Sequence, residues 1–439
     1  MASAPRLFVI GGGGREHALV WHLSRALPEA SIYCAPGNPG ISNVATCLPI
    51  PSGDLDALAD AASTTGIQLT LVGPEAPLVA GIVDAFEARG QAIIGPTAAA
   101  AKIEGSKVFA KDLMQRYGIP TAEANVFDDH AAALAFLGDR SGGVVVKADG
   151  LAAGKGVVVC DDTEQARAAL RMIMVERAFG DAGRRVVIEE RLEGEEISVF
   201  ALVDGDAVAL LPAAQDHKRI FDGDRGPNTG GMGAIAPYPL NDDLLRYVRV
   251  EIFERVAHAM CAEGHPYRGV LFAGLMLTRD GPRVLEFNCR LGDPEAQVIL
   301  PLLSGNLIEA FAALHAGRLP PDTLVRADGA AAGVVLASRG YPQAPETGDE
   351  IDGLDSAAEE ALVFHAGTAE HNGRIVTAGG RVLTVVGMGT DVASARVRAY
   401  RAAKRILFAG MHYRWDIGAA VAGAARKSGT LAERAGVGE

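Results

Sequence analysis

The chain is 439 residues long, enough for about three domains at roughly 150 residues each. Apolar residues make up 49% and charged residues 22%, which excludes a disordered chain, and a net charge of −13 argues against non-specific nucleic-acid binding, which needs a basic face. The five cysteines show no CxxC or Cys/His spacing, so neither a disulfide framework nor a zinc site is expected, and a reducing cytoplasm is the natural compartment.

No apolar run approaches the ~18 residues of a membrane span, so no membrane segment or signal peptide is expected. Through residue 100, short apolar strands at 7–10, 31–34, 69–72 and 92–94 alternate with helix-patterned segments at 16–26 and 76–87. That alternation predicts a parallel sheet covered by helices, with ligands beyond the carboxyl ends of its strands. The loops 11–14, 36–40 and 73–77 fall there. Gly11-Gly12-Gly13-Gly14 runs into a helix, where small residues admit a ligand and free N–H groups suit a phosphate. A plain strand–helix turn would read the same way. A dinucleotide fold is disfavoured, because GxGxxG would need glycine where Glu16 stands and the second strand runs into Ala35-Pro36-Gly37-Asn38.

A single helix is predicted over 98–117, stopped by Gly118 and Pro120. Strands 144–147 and 157–160 then flank a glycine-rich flap. Lys147 ends a buried-type strand, where a lone charge is costly unless a phosphate compensates it. A flap holding Gly154, Lys155 and Gly156 can close over a triphosphate, although a mobile hairpin with a snorkelling lysine fits too. A helix near 164–176 and a strand at 186–189 lead to an acidic run, Glu189 to Glu196. Its carboxylates can accept from an adenine amino group or ribose hydroxyls, or form only a solvated turn. After strands 197–203 and 207–211, residues 215–233 read as a long irregular loop, and loops of that length are usually functional.

A helix over 242–262 and strands 270–278 and 283–288 follow. Alternation places Glu286, Asn288 and Arg290 on one face and Leu285 and Phe287 on the other. A carboxylate beside an amide oxygen suits Mg²⁺ shared with phosphate, and an adjacent arginine can fork onto a carboxylate or phosphate. A structural salt-bridge cluster is the alternative. The last region, with strands 333–336, 363–366 and 381–386 and a helix 392–409, offers few candidate catalytic groups. His17, His258 and His365 are assigned no catalytic part.

The stretches IGGGGREHAL, APGNPG, VGPEAPLVAGIVD, EGSKVFAKDLM, VVKADGLAAGKGVVV, QDHKR with GPNTGGMGA, and EFNCRLGDPEAQ resemble the ATP-grasp ligases. More narrowly they resemble the glycinamide ribonucleotide synthetase family, and the chain ends where monofunctional members do. The resemblance implies an α/β fold with an N-terminal parallel-sheet, Rossmann-like (pre-ATP-grasp) substrate domain at 1–100. Central ATP-grasp α+β domains at 101–325, with a flap subdomain at about 120–192, would precede a small C-terminal α/β domain at 326–423 and a flexible tail at 424–439. It implies that ATP phosphorylates glycine and that 5-phosphoribosylamine attacks the resulting glycyl phosphate. ATP would be held by Lys107, Lys147, Gly154, Lys155, Gly156, Glu189, Leu192, Glu195 and Glu196, and Mg²⁺ (or Mn²⁺) by Glu286 and Asn288. The substrates would meet Gly12, Gly13, Gly14, Asn38, Glu75, Asp216, Lys218, Asn228, Thr229, Gly230, Arg290 and Asp293, with Arg290, Asp293 and Lys155 catalytic.

Two departures stand out. Gly12 occupies a place where the family usually has Ser or Asn, and Gly274 stands where many ATP-grasp enzymes carry a second metal carboxylate. A cytoplasmic monomer or weak homodimer is expected, with no nucleic-acid or membrane partner. The competing readings are another ATP-grasp ligase or carboxylase, a non-catalytic nucleotide-binding module, and a dehydrogenase.

Overall fold

Short apolar strands build the first sheet in the computed structural model, which describes residues 4–138, 142–152, 156–303, 306–320 and 329–423. Thr46–Cys47, Ser31–Pro36, Arg6–Gly11, Leu69–Val72 and Ile93–Ile94 lie side by side in that order, all parallel. The middle strand is buried on both faces: Phe8 and Ile10 join one core, Leu7 and Val9 another. This is why it reads as a continuous apolar run. The helix predicted over 76–87 is two short helices, Glu75–Val79 and Ile82–Glu87, parted at Gly81 with φ of 91°. The helix predicted over 98–117 is also split. Ser106 is extended and caps Lys107–Arg116 by accepting the Phe109 N–H, which ends Ala98–Gly105.

Two antiparallel sheets follow. One runs Ala124–Phe127, Val186–Glu190, Val144–Ala148, Val157–Cys160. The other runs Ala207–Leu210, Glu195–Asp204, Arg268–Thr278, Gly281–Asn288. In Val144–Ala148 alternation sends Val144, Val146 and Ala148 into a core shared with Thr163–Leu170, leaving Val145 and Lys147 on the other face. The helices expected near 164–176 and over 242–262 form, each with a π turn, at Arg171–Val175 and Val248–Glu254.

The stretch 215–233, read as irregular, is folded. Arg219–Phe221 and Arg225–Asn228 make a hairpin, and Gln215–Asp216 pairs with Gly233–Ala236. The latter two strands belong to a fourth, five-stranded sheet that continues through Ala330–Ala337, Arg381–Gly389 and Leu362–His365. Backbone pairing, not apolar periodicity, organises this polar segment, so hydropathy left it invisible. The last helix stops at Ala403 rather than near 409. Gly154, Lys155 and the tail 424–439 lie outside the described residues. Among the described residues no helix is long and apolar enough to cross a membrane.

Candidate active site

The two four-stranded sheets face each other across a cleft. A recess of about 130 Å³ and a larger space of about 540 Å³ share Glu75, Lys147, Glu189, Leu285, Glu286, Asn288 and Arg290 on their walls, so they form one continuous site. The smaller end is lined by Lys107, Lys111 and the flap residues Gly150, Leu151, Ala152 and Gly156. Beside it Val145, Val159, Leu192 and Met276 make an apolar slot. The far end holds Arg15, Asp293, Glu295 and Arg381, with Asp216, Lys218, Asn228, Thr229 and Gly230 along the way.

Lys147 does not wait for a phosphate. Its Nζ sits 2.9 Å from Glu189 Oε2 and donates to the Leu285 carbonyl at 2.9 Å. Lys111 Nζ lies 3.2 Å from Glu189 Oε1 and donates to Thr121 Oγ1. Glu189, expected to contact adenosine, lines the cleft and is the buried counterion of two lysines. Burial pulls the Lys111 ammonium down to about 8 despite Glu189, and lowers Lys107 too, with Glu286 pulling back. Lys107 donates to the Gly150 carbonyl at 3.0 Å, fastening the flap's entry. Glu195 departs from expectation as well. It alternates to the opposite face of its strand, where its carboxylate accepts from the Tyr238 hydroxyl.

The strand Gly281–Asn288 carries a bulge: Gly274 pairs with Glu286 but Leu275 with Val284. Leu285 is the extra residue, so Leu285 and Glu286 both reach the cleft, which regular alternation does not foresee. Burial opposes ionisation of Glu286, yet Lys218, Lys147, Lys107 and Arg290 together hold its pKa below the usual value. No hydrogen bond reaches this carboxylate among the described residues. Asn288 beside it is buried, with its Nδ2 unpartnered among the described residues and its Oδ1 accepting from Arg290 at 3.1 Å. Arg290 is clamped further, by Glu75 at 3.3 Å and Glu104 at 3.1 Å, which keep its guanidinium charged despite burial.

The glycine turn is occupied by its own helix. Glu16 Oε2 accepts the Gly13 N–H at 2.6 Å, and Arg15 Nε lies 2.5 Å from Glu16 Oε1. A protein carboxylate therefore accepts one of the N–H groups expected to face a phosphate, that of Gly13. A Cβ at Gly12 would stand 2.5 Å from the Gly37 carbonyl oxygen, so this backbone excludes the usual Ser or Asn. Asn38 is structural too. It donates to the Gly12 and His365 carbonyls and accepts from the Ile41 N–H.

Asp293 accepts from Gln297 Nε2 at 2.7 Å and lies 3.5 Å from Arg381. Burial raises its pKa, but Arg381 and Arg15 prevail and hold it low. Arg381 also donates to the carbonyls of Asp293, at 2.6 Å, and Gly230, so the last region does supply a charged group to the site. Lys218 bridges Glu196 at 3.1 Å and Asp216 at 3.2 Å. The sequence reading missed Arg15, Glu104, Lys111, Glu295 and Arg381. The spacing of Glu104, Lys107 and Lys111, three and four apart, could have exposed two of them.

Two antiparallel sheets closing on a long cleft, with lysines on one and a Glu-x-Asn strand end on the other, define the ATP-grasp class of ligases. Family models for phosphoribosylglycinamide synthetase match almost throughout: the N domain at 5–104, the ATP-grasp (A) domain at 105–296 and the C domain at 331–420. The phosphoribosylamine–glycine ligase of Caldanaerobacter subterraneus subsp. tengcongensis is 48% identical, covering 94% of this chain and 99% of that protein. That of Halalkalibacterium halodurans is 47% identical over 94% of this chain and 96% of its own length. The crystal structure of the Thermotoga maritima phosphoribosylamine–glycine ligase superposes with a TM-score of 0.83 at 37% identity, covering 94% of this chain and all 100% of that one. The biotin carboxylase domain of Hydrogenobacter thermophilus 2-oxoglutarate carboxylase, at 16% identity and a TM-score of 0.71 over 94% and 92% of the two chains, shares the fold alone.

The chain belongs to the phosphoribosylglycinamide synthetase family. Its activity is that of the phosphoribosylamine–glycine ligases of purine biosynthesis.

Proposed function

We propose that the cleft joins glycine to 5-phosphoribosylamine through a glycyl phosphate, releasing ADP, phosphate and glycinamide ribonucleotide. The observation that carries this reading is the order of charge along one continuous cavity. Lysines surround the Glu286 carboxylate, which no hydrogen bond reaches among the described residues, at one end, and two arginines with a paired carboxylate sit at the other. Phosphoryl transfer needs positioning and charge neutralisation more than a protein nucleophile.

The adenine base enters the slot of Val145, Val159, Leu192 and Met276. Lys107 and Lys147 meet the phosphates, while Glu196 is placed to exchange Lys218 for a ribose hydroxyl. Among the described residues no group of three or more His, Cys, Asp or Glu could hold a metal by itself. Glu286 and the Asn288 oxygen would hold a hard divalent cation, the carboxylate being reached by no hydrogen bond among the described residues and the amide oxygen standing beside it. Mg²⁺ or Mn²⁺ bound there would neutralise phosphate charge. Arg290, rigidly clamped, meets the carboxylate of glycine, and the ionised Asp293 receives its ammonium. The flap excludes water that would hydrolyse an acyl phosphate. The 5-phosphate of phosphoribosylamine lies toward Arg15 and Arg381, because these guanidinium groups line that end of the cleft and the Gly13 N–H is already taken by Glu16.

ADP release should require both glycine and freshly prepared phosphoribosylamine. Turnover with another acid and none with this pair would redirect the assignment to a different ATP-grasp ligase. Arg381→Met should raise the KM for phosphoribosylamine at least about tenfold, a charge-assisted contact being worth ~1.5–3 kcal/mol, with ADP affinity by calorimetry unchanged. An equal loss of nucleotide affinity would place the wrong substrate at that end.

A further inference from the structure

Proton balance sets a demand on the second half of the reaction. When the amine nitrogen of phosphoribosylamine attacks the acyl carbon, a C–N bond forms and the C–O bond to phosphate breaks. The phosphate leaves with the electron pair, and the new nitrogen must lose one proton. No histidine lines the cleft among the described residues, and His217, between Asp216 and Lys218, turns away to accept from the Gly418 N–H.

Most carboxylates of the cleft are already engaged. Asp293 accepts from Gln297, Glu295 from Ser198 at 2.8 Å, and Glu75 pairs with Arg290. Asp216 differs. Its side chain is 4% exposed and lines the cleft, Oδ2 lies 3.2 Å from Lys218, and Oδ1 is buried with no partner among the described residues. Gly231, at φ of 114°, passes close to that oxygen without a side chain: a Cβ there would lie 2.6 Å from it. Through Lys218 the residue is tied toward Glu196 and Glu286, and on its other side Arg381 reaches in from the last region. It therefore stands between the phosphate end and the arginine end, where acyl transfer takes place.

We propose that Asp216 is the catalytic base whose incompletely partnered carboxylate takes the proton from the attacking amine; this rests on the glycyl phosphate reading above. The charged groups facing Asp216 are Lys218 beside it, Glu196 from the neighbouring sheet, Glu295 from the following helix and Arg381 from the last region. Burial, with Glu295 and Glu196, raises its pKa against the pull of Lys218, to about 7. A base titrating there is matched to proton transfer near neutrality. It is ionised and competent above that pH and lost below it.

The test is a single-turnover experiment with ATP, glycine and phosphoribosylamine, quenched to read ADP and glycinamide ribonucleotide separately. In the wild type both should appear together, and product formation should climb as pH passes through about 7. Asp216→Asn keeps the Lys218 contact; it should leave glycine-dependent ADP formation within about threefold. It should slow product formation about a hundredfold or more, so that ADP outruns product as acyl phosphate is hydrolysed, and it should flatten the pH profile. Asp216→Glu should restore part of the transfer rate. Equal loss of ADP and product, equal retention of both, or a raised glycine KM with transfer intact would each overturn the proposal. If the Asn variant fails to fold, the wild-type profile decides: transfer independent of pH between about 6 and 8.5 overturns it. Absence of glycine-dependent ADP formation in the wild type would instead refute the glycyl phosphate reading itself.

Discussion

Glu286→Gln should reduce turnover about a thousandfold at ordinary magnesium while leaving the fold intact. The carboxylate lies among Lys218, Lys147, Lys107 and Arg290, and no hydrogen bond ties it to the protein among the described residues. Its charge is thus available to a cation and is not consumed by packing. Losing charge compensation at a transferring phosphoryl group typically costs 10²–10³-fold or more. The same change removes a negative charge from a cationic pocket, so metal-free ADP should bind at least as tightly as before. Calorimetry with and without magnesium separates the two effects. A variant that turns over at the wild-type rate, or that loses metal-free ADP binding, would show that Glu286 is a structural counterion.

Lys147→Met should do two things at once. It leaves Glu189 with Lys111 as its remaining ammonium, in a site where the lysine and glutamate side chains are 7% exposed or less, and it strips the Leu285 carbonyl of its donor. Breaking a buried pair from one side costs about 3–5 kcal/mol, and Lys111 keeps the loss near the lower figure. The nucleotide loses a charge-assisted contact as well, about ten- to a hundredfold in affinity. Glu189→Gln should reproduce the loss of stability. Urea unfolding of the apo protein and ADP calorimetry read the two effects separately. Unchanged stability would mean that Lys147 is held by the nucleotide alone.

The first sheet was legible because doubly buried strands leave unbroken apolar runs, and the Glu-x-Asn strand end because polar residues there have few bland uses. What escaped were features decided by other parts of the chain. The extended Ser106 and left-handed Gly81 divide segments whose apolar spacing continues across the break. The Leu285 bulge shifts a register that alternation assumes to be regular. Arg381 lies 88 residues beyond Asp293, and nothing local marks it as its partner. The two lysine partners of Glu189 were not legible because an acidic run looks alike whether its first member faces solvent or two lysines.

The five-stranded sheet that joins Gly233–Ala236 to the C-terminal strands has a mechanical consequence. Gly233–Ala236 is bonded along its length to Ala330–Ala337, so the hairpin carrying Asn228, close to Thr229, Gly230 and Asp216, is welded to the C-terminal strands. The arginine end of the cleft is therefore a stiff anvil, braced by that backbone pairing. The opposite wall packs on a separate core around Val144 and Val146, so a movement of that wall would leave the arginine end undisturbed. A strike from one side onto a fixed seat needs alignment of one moving body only, which limits the ways a reactive acyl group could be misdelivered.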